Sequence, residues 1–271
     1  MAIHHAEALI LQVFDLQERD RIVTFLTRER GKVRGVARGA RRKYSRFAGQ
    51  LQPLAKVRVT WFEKEGRDLV RISGVDPLRL SVRLHADLEG ILLGSYLAEH
   101  LLEFAQENEP GELWFRLLDS TLEALAAGAD RDLATRWFEA WVLRLGGIFP
   151  APRECPACGR PFGPEGAVLT AADDGLVCFD CAAAAAGGPG EGGATVLGPS
   201  GAARSGAERY GADVVEALLR FGREGLAELA AAPPPPATLR RVEALTARVR
   251  RGFLQRELKS HAVMQRTLAE L

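Results

Sequence analysis

Apolar positions follow one period in the first third of the chain and another after it. Short apolar runs occupy residues 8–14, 22–26, 33–37, 54–62 and 69–72, separated by turn signals that include Gly31, Gly39 and Gly66. In the fourth run, Val57, Val59 and Trp61 point one way and Lys56, Arg58 and Thr60 the other, the period of two of a half-buried strand. Five such runs predict a small antiparallel barrel or sandwich that ends near Pro77. From residue 81 the period becomes helical: Leu84, Leu88, Ile91, Leu92, Leu97, Leu101 and Leu102 recur to about residue 104, and Asn108, Pro110 and Gly111 break the pattern. Helices are predicted over 113–126 and 133–145, the second carrying Trp137, Phe138 and Trp141 as core residues and ending at Gly146, Gly147 and Pro150. Residues 212–232 read as helical again, the prolines at 233–236 form a stiff break, and 239–271 read as a last helix weakened at Gly252.

Between these helical stretches lie a cysteine-bearing insert and a tract of Ala, Gly, Pro and Ser with few large apolar groups, which predicts a flexible linker. The expected organisation is a barrel over 1–80, a helical domain over 81–150, an insert over 151–182, a linker over 183–210 and the rest of the helical domain over 211–271. The fold class is thus α+β and multidomain. There is no internal repeat.

The chain has 271 residues, 47% of them hydrophobic and 26% charged, a composition suited to packed cores in more than one domain. No apolar run reaches the ~18 residues of a membrane span. The first ten residues lack a basic leader followed by an apolar run. Both point to the cytoplasm, where thiols stay reduced.

The net charge of +1 conceals an asymmetry. Residues 1–80 hold 17 Lys and Arg against 9 Asp and Glu, whereas residues 81–150 hold 5 against 12. Nine bases and one acid fall within residues 28–46. Lys32, Arg34 and Arg38 are an even number of residues apart and share a strand face if the strand continues; Arg41, Arg42, Lys43 and Arg46 follow on a loop. Gly31, Gly35 and Gly39 are expected to let a sugar-phosphate backbone approach, with Tyr44 and Phe47 as stacking faces. A charged hairpin guarding a sheet edge needs only one or two lysines, so phosphate binding is the better account. Nothing resembles a base-reading helix, which predicts weak sequence dependence and strong salt dependence.

The four cysteines form two pairs, Cys155-Pro-Ala-Cys158 and Cys178-Phe-Asp-Cys181, with nineteen residues between them. Two such loops close a tetrahedron around one structural Zn2+ and leave no open coordination position. Neither pair reads as a redox motif at a helix N-terminus within a βαβ unit. Asp173-Asp174 reads as a turn of the insert. His4 and His5 read as solvated, and His85, His100 and His261 have no nucleophile or carboxylate arranged with them. No Gly-x-x-x-x-Gly-Lys-Ser/Thr loop is present. The chain reads as a non-enzyme.

The segments Ala8-Leu-Ile-Leu, Glu18-Arg-Asp-Arg-Ile-Val-Thr-Phe-Leu-Thr, Gly31-Lys-Val-Arg-Gly-Val-Ala-Arg-Gly-Ala-Arg-Arg and Ser45-Arg-Phe, followed by Leu51-Gln-Pro, the four cysteines and Leu258-Lys-Ser, resemble the bacterial RecO family. The resemblance implies an N-terminal OB-fold barrel, a helical domain and a zinc-finger insert. It further implies binding of single- and double-stranded DNA, annealing of complementary strands and, with RecR, help in loading RecA onto DNA coated by single-stranded-DNA-binding protein (SSB). The SSB C-terminal tail and, in some bacteria, RecF are the other implied partners, in a nucleoid-associated setting. The DNA contacts it implies are Lys32, Arg34, Arg38, Arg41, Arg42, Lys43 and Arg46; the SSB-tail site is not placed, and the basic stretch Arg240, Arg241, Arg248, Arg250 and Arg251 is a contributor to it, a second DNA contact or a solvated face. The residues alone leave open a zinc-containing OB-fold adaptor that binds RNA in translation or transcription.

Overall fold

The computed structural model describes residues 2–64, 66, 68–170, 173, 175–185 and 208–270. In chain order the elements are β1 (Ala2–Leu16), β2 (Asp20–Thr27), β3 (Gly31–Ala37), β4 (Lys56–Glu63), β5 (Val70–Arg79), α1 (Leu88–Phe104), α2 (Glu112–Ala127), α3 (Arg131–Leu145), β6 (Ala167–Leu169), β7 (Leu176–Val177), α4 (Phe179–Ala185), β8 (Arg209–Tyr210), α5 (Ala212–Phe221), α6 (Leu226–Ala231), α7 (Pro236–Leu254) and α8 (Lys259–Ala269). They fold as two compact units, residues 1–128 with 258–271 and residues 129–257. Sequence composition divides the chain at 80, 150, 182 and 210 instead; α8 joins the first unit although it lies at the far end of the chain.

In the first unit, β1 to β5 close on themselves in the order β1-β2-β3-β5-β4. The long β1 makes this possible. Its first half pairs with β4, its second half with β2, and the register shifts between Ile10 and Gln12 where the strand must bend. The expected all-antiparallel arrangement is corrected at one seam: β3 and β5 pair in parallel through Gly35, Val36 and Ala37. The excursion over residues 38–55 and the return through β4 bring β5 to β3 in that direction, which a simple hairpin meander would not do. Inside lie Ile10, Val23, Phe25, Val33, Val57, Val59, Trp61 and Ile72. The alternation read in β4 is therefore real: Val57, Val59 and Trp61 are buried while Arg58 is exposed.

His4 and His5 belong to β1; His5 is exposed there as expected, whereas His4 is partly buried. His4 stacks on Trp61 with ring centroids 5.3 Å apart and its Nε2 lies 2.9 Å from Glu63. Helix α1 begins at Leu88, capped by the Asp87 side chain, so the apolar residues before it form turns instead of a first helical turn. The acidic helix α2 pairs with the barrel: Asp119 meets Lys56 at 2.8 Å and Arg79 at 2.5 Å, Glu123 meets Arg79, and Glu112 meets Arg28.

In the second unit, α3 packs against α5, α6 and α7. The helix expected over 212–232 is two helices, because Gly222 and Gly225 end one and begin the next. The break in the last helix falls at Gln255, which takes a left-handed conformation, and not at Gly252. Strands β7, β6 and β8 form a small sheet. Of the expected linker at 183–210, residues 183–185 continue α4 and 209–210 form β8; residues 186–207 lie outside the described residues.

Candidate nucleic-acid interface and metal centre

Strand β3 alternates burial residue by residue, with Gly31, Val33, Gly35 and Ala37 inward and Arg34 exposed. Two of the three glycines serve the protein's own packing. A Cβ at Gly31 would collide with the carbonyl oxygens of Gln106 and Glu109, and one at Gly35 would lie 2.8 Å from Ile72 Cγ1. Of the three only Gly39, in a positive-φ turn, lacks a close approach, since a Cβ there would make ordinary contact with the Arg42 side chain at 3.5 Å. The expectation that all three admit a sugar-phosphate backbone is corrected accordingly.

The predicted basic residues separate into four groups. Lys32 is half-buried and donates to the carbonyl oxygen of Leu102 at the end of α1; burial pushes its ammonium down, against the opposing pull of Glu107 and Glu103. Arg41 is exposed but held, donating to the Gln17 carbonyl at 2.8 Å and pairing with Asp15 at 3.3 Å. Arg34, Arg38 and Arg42 are exposed, and among the described residues no ion pair or hydrogen bond engages their side chains. Lys43 lies over Tyr44 at 5.6 Å and Arg46 over Phe47 at 4.8 Å. Tyr44 is 88% exposed, whereas Phe47 is 1% exposed and belongs to the barrel core. Phe47 is thus no stacking face: its ring fills the barrel end opened by the 38–55 excursion.

The turn that carries these bases is fixed from the strand side. Asp20 Oδ1 accepts from the Gly39 N–H at 2.8 Å, and the Arg41 N–H donates to the Arg19 carbonyl at 3.1 Å. Gln17, Glu18, Arg19, Asp20, Arg38, Gly39 and Arg42 line a groove between the β1–β2 turn and the 38–42 turn. Arg19 has the same exposure as Arg38, but it lies outside the basic run that drew attention in the sequence.

Most of the basic C-terminal residues are occupied. Arg248 spans Asp173 and Glu208 at 2.9 and 2.8 Å, Arg250 is 1% exposed and pairs with Glu257 at 2.8 Å, and Arg241 donates to the Arg209 carbonyl. Arg240, Arg241 and Arg251 are the exposed members of that set on α7, and Arg251 lies 3.7 Å from Glu257.

The four cysteines converge. One sulfur from each of Cys155, Cys158, Cys178 and Cys181 can be enclosed with all separations within 4.8 Å, and none is in a disulfide. The first pair sits on a loop closed by the Gly159 N–H donating to the Cys155 carbonyl at 2.8 Å, with Gly159 at φ +70. The second pair brackets the start of α4, a helix N-terminus that the sequence did not reveal, although no βαβ unit surrounds it. Cys158 and Cys178 sulfurs are 3.8 Å apart. Metal–sulfur bonds of about 2.3 Å in a tetrahedron give a sulfur–sulfur edge of about 3.8 Å, so the donor set fits such an ion. The Cys178 N–H donates to Cys155 Sγ at 3.4 Å, and Arg160 Nε donates to Cys158 Sγ at 3.4 Å, which lowers the Cys158 thiol to about 6. Those donors stabilise thiolates, the form a metal takes.

Comparison with known proteins gives a consistent result. The chain matches the family model described as Recombination protein O N terminal over residues 1–80 and the one described as Recombination protein O C terminal over residues 85–262. It is 36% identical over 264 residues to the DNA repair protein RecO of Anaeromyxobacter sp. (strain Fw109-5), covering 97% of this chain and 94% of that protein. It is 34% identical over 264 residues to the DNA repair protein RecO of Anaeromyxobacter dehalogenans (strain 2CP-C), again over 97% and 94% of the two chains. With the DNA repair protein RecO of Geobacter sulfurreducens it shares 37% identity over 175 residues, 65% of this chain and 71% of that protein.

Proposed function

Because the chain belongs to the RecO family of DNA repair and recombination proteins, we propose that it is a non-enzymatic mediator that binds single- and double-stranded DNA through the outer surface of its barrel and anneals complementary strands. In this reading the barrel is an OB-fold, a five-stranded architecture suited to holding a strand across its surface. The observation that carries the proposal is the set of exposed arginines around the 38–42 turn, Arg34, Arg38 and Arg42, which no acid engages among the described residues, on a scaffold where Arg21, Arg28, Arg30, Arg41, Lys56 and Arg79 each pair with an acid. Annealing requires no covalent step: neutralising phosphates lowers the repulsion between two strands, and holding both raises their local concentration. Lys43, Arg46 and the tethered Arg41 extend the field, and Lys32 supports the strand from beneath.

The four-cysteine cluster holds one structural Zn2+ in this proposal, with all four positions taken by protein. Metal analysis of protein purified without chelators then gives one zinc per chain. Partnership with RecR, RecA loading onto SSB-coated strands, contact with the SSB tail and participation of RecF follow from family membership, as does a place in the cytoplasm beside the nucleoid. No helix among the described residues is long and apolar enough to cross a membrane.

The deciding experiment is annealing of two complementary oligonucleotides coated with SSB, without ATP. Acceleration by the protein is the expected result. No acceleration by a protein that still binds DNA would overturn the mediator reading.

A further inference from the structure

Five arginines on the barrel, Arg19, Arg34, Arg38, Arg42 and Arg71, are exposed, and no ion pair or hydrogen bond engages their side chains among the described residues. Exposure alone does not set them apart, since Arg58 on β4 is also exposed. Their neighbours do. Arg58 stands opposite Glu7 on β1 and Asp76 on β5, an acid on each side. Arg34 stands opposite Thr24, and Arg71 lies opposite Val36 on β3 and Phe62 on β4. Side chains directly opposite in a ladder are about 5 Å apart, so Arg58 faces an acid across the ladder on each side, while the ladder partners of Arg34 and Arg71 include none.

Two grooves meet at Arg38. The one already described holds Arg19 and Arg42; the other runs along the β3–β5 seam and is lined by Val36, Asp68, Leu69, Val70 and Arg71. Asp20 and Arg38 belong to both, and the Asp20 carboxylate is engaged by the Gly39 N–H. The second groove differs in character. Val36 and Leu69 give it an apolar floor, suited to the face of a sugar or an unpaired base, beside a guanidinium suited to a phosphate.

Resting on the DNA-binding reading above, we propose that a single strand crosses the parallel β3–β5 seam, from the Arg19 and Arg42 groove past Arg38 into the groove of Arg71, and that Arg71 is a phosphate ligand on that path. Arg71 lies 25 residues beyond the end of the basic run at Arg46. The parallel pairing brings it beside Val36, on the same outer face as Arg34 and Arg38. The strand's course is therefore set by a ladder between distant segments and not by the local cluster of bases.

The test is titration of a labelled oligothymidine with the full chain over a series of salt concentrations, comparing Arg38→Ala, Arg71→Ala and Arg58→Ala. Each phosphate ligand lost should reduce the slope of log affinity against log salt by about 0.7 for a single strand. The expected result is that loss for Arg38→Ala and for Arg71→Ala, with several-fold weaker binding at low salt, and an unchanged slope for Arg58→Ala. Arg71→Gln, which keeps a long polar side chain without the charge, should match Arg71→Ala, and melting curves identify any variant that has lost its fold. A reduced slope for Arg38→Ala with wild-type behaviour for Arg71→Ala overturns the path and leaves the DNA-binding barrel standing. Equal losses for Arg58→Ala and Arg71→Ala overturn it too, by showing a diffuse field. If no variant alters the slope while DNA is still bound, the barrel surface itself is the wrong site.

Discussion

The carboxylate of Glu99 on α1 accepts the backbone N–H of Ser260 at 2.7 Å, together with that of Lys259 at 3.1 Å. Helix α8 has Leu258 at its N-cap, a side chain with no acceptor, so its first N–H groups would otherwise have no protein partner. Glu99 supplies from another helix the cap that the local sequence lacks, and its charge complements the positive end of α8. Replacing Glu99 with Ala should lower stability by about 1 kcal/mol in chemical denaturation. Glu99→Gln, which keeps an acceptor, should cost less.

Neighbouring aromatics in the basic loop have opposite duties. Phe47→Ala empties part of the barrel core and should destabilise by about 3–5 kcal/mol, whereas Tyr44→Ala removes an exposed ring and should leave the denaturation midpoint unchanged. If Tyr44 stacks on a base, its loss should weaken single-strand binding by about 1–3 kcal/mol, read by titration with a short oligonucleotide. Equal destabilisation by the two substitutions would contradict this division.

The contrast marks where the sequence was legible. Period and punctuation revealed the five barrel strands, three of the helices and the two cysteine pairs that converge, because each is encoded by residues close in the chain. What they concealed was pairing over distance. Nothing local says that Phe47 turns inward, that β5 joins β3 in parallel, or that Glu99 caps α8. The buried cluster of Arg136, Glu139 and Arg250, at 5%, 2% and 1% exposure, has no local signal in the sequence. Its members are on α3 and α7, and only their packing turns the charges inward, where Thr246 donates to Glu139 at 2.8 Å.

Acid should weaken the barrel through Glu63. The Arg30 side chain donates to its carboxylate at 2.6 and 3.0 Å, which holds the acid below its usual value, with His4 adding a smaller pull. A carboxylate whose folded pKa is depressed contributes stability that is fully present above its ordinary value of 4.5 and disappears as pH falls through the folded value below it. Denaturation at pH 7 and at successive steps below 4.5 should therefore show a steeper loss for the wild type than for Glu63→Gln. Parallel curves would mean that the pair is as well made in the unfolded chain.

Asp173 gives the cysteine-bearing insert its hold on α7. In the sequence it reads as half of a turn signal, yet it is 6% exposed, takes φ 59, and accepts from Arg248 Nε at 2.9 Å. Arg248 also reaches Glu208 at 2.8 Å, whose carbonyl accepts from the Leu169 N–H of β6. One guanidinium thus fastens the β6–β7 turn and the entry to β8 to the same helix, and Gly252 leaves room for it, since a Cβ there would lie 3.2 Å from Asp173 Oδ2. Arg248→Ala should lower stability by about 1–3 kcal/mol, because it removes a charged donor from a buried carboxylate. If the small sheet also holds the cysteine loops in register, the same variant should lose zinc to a chelator faster, followed with a colorimetric indicator. Gly252→Ala should act in the same direction more weakly, by crowding Asp173. Wild-type zinc loss from a destabilised Arg248→Ala protein would show that the thiolate cage is rigid by itself and draws nothing from α7.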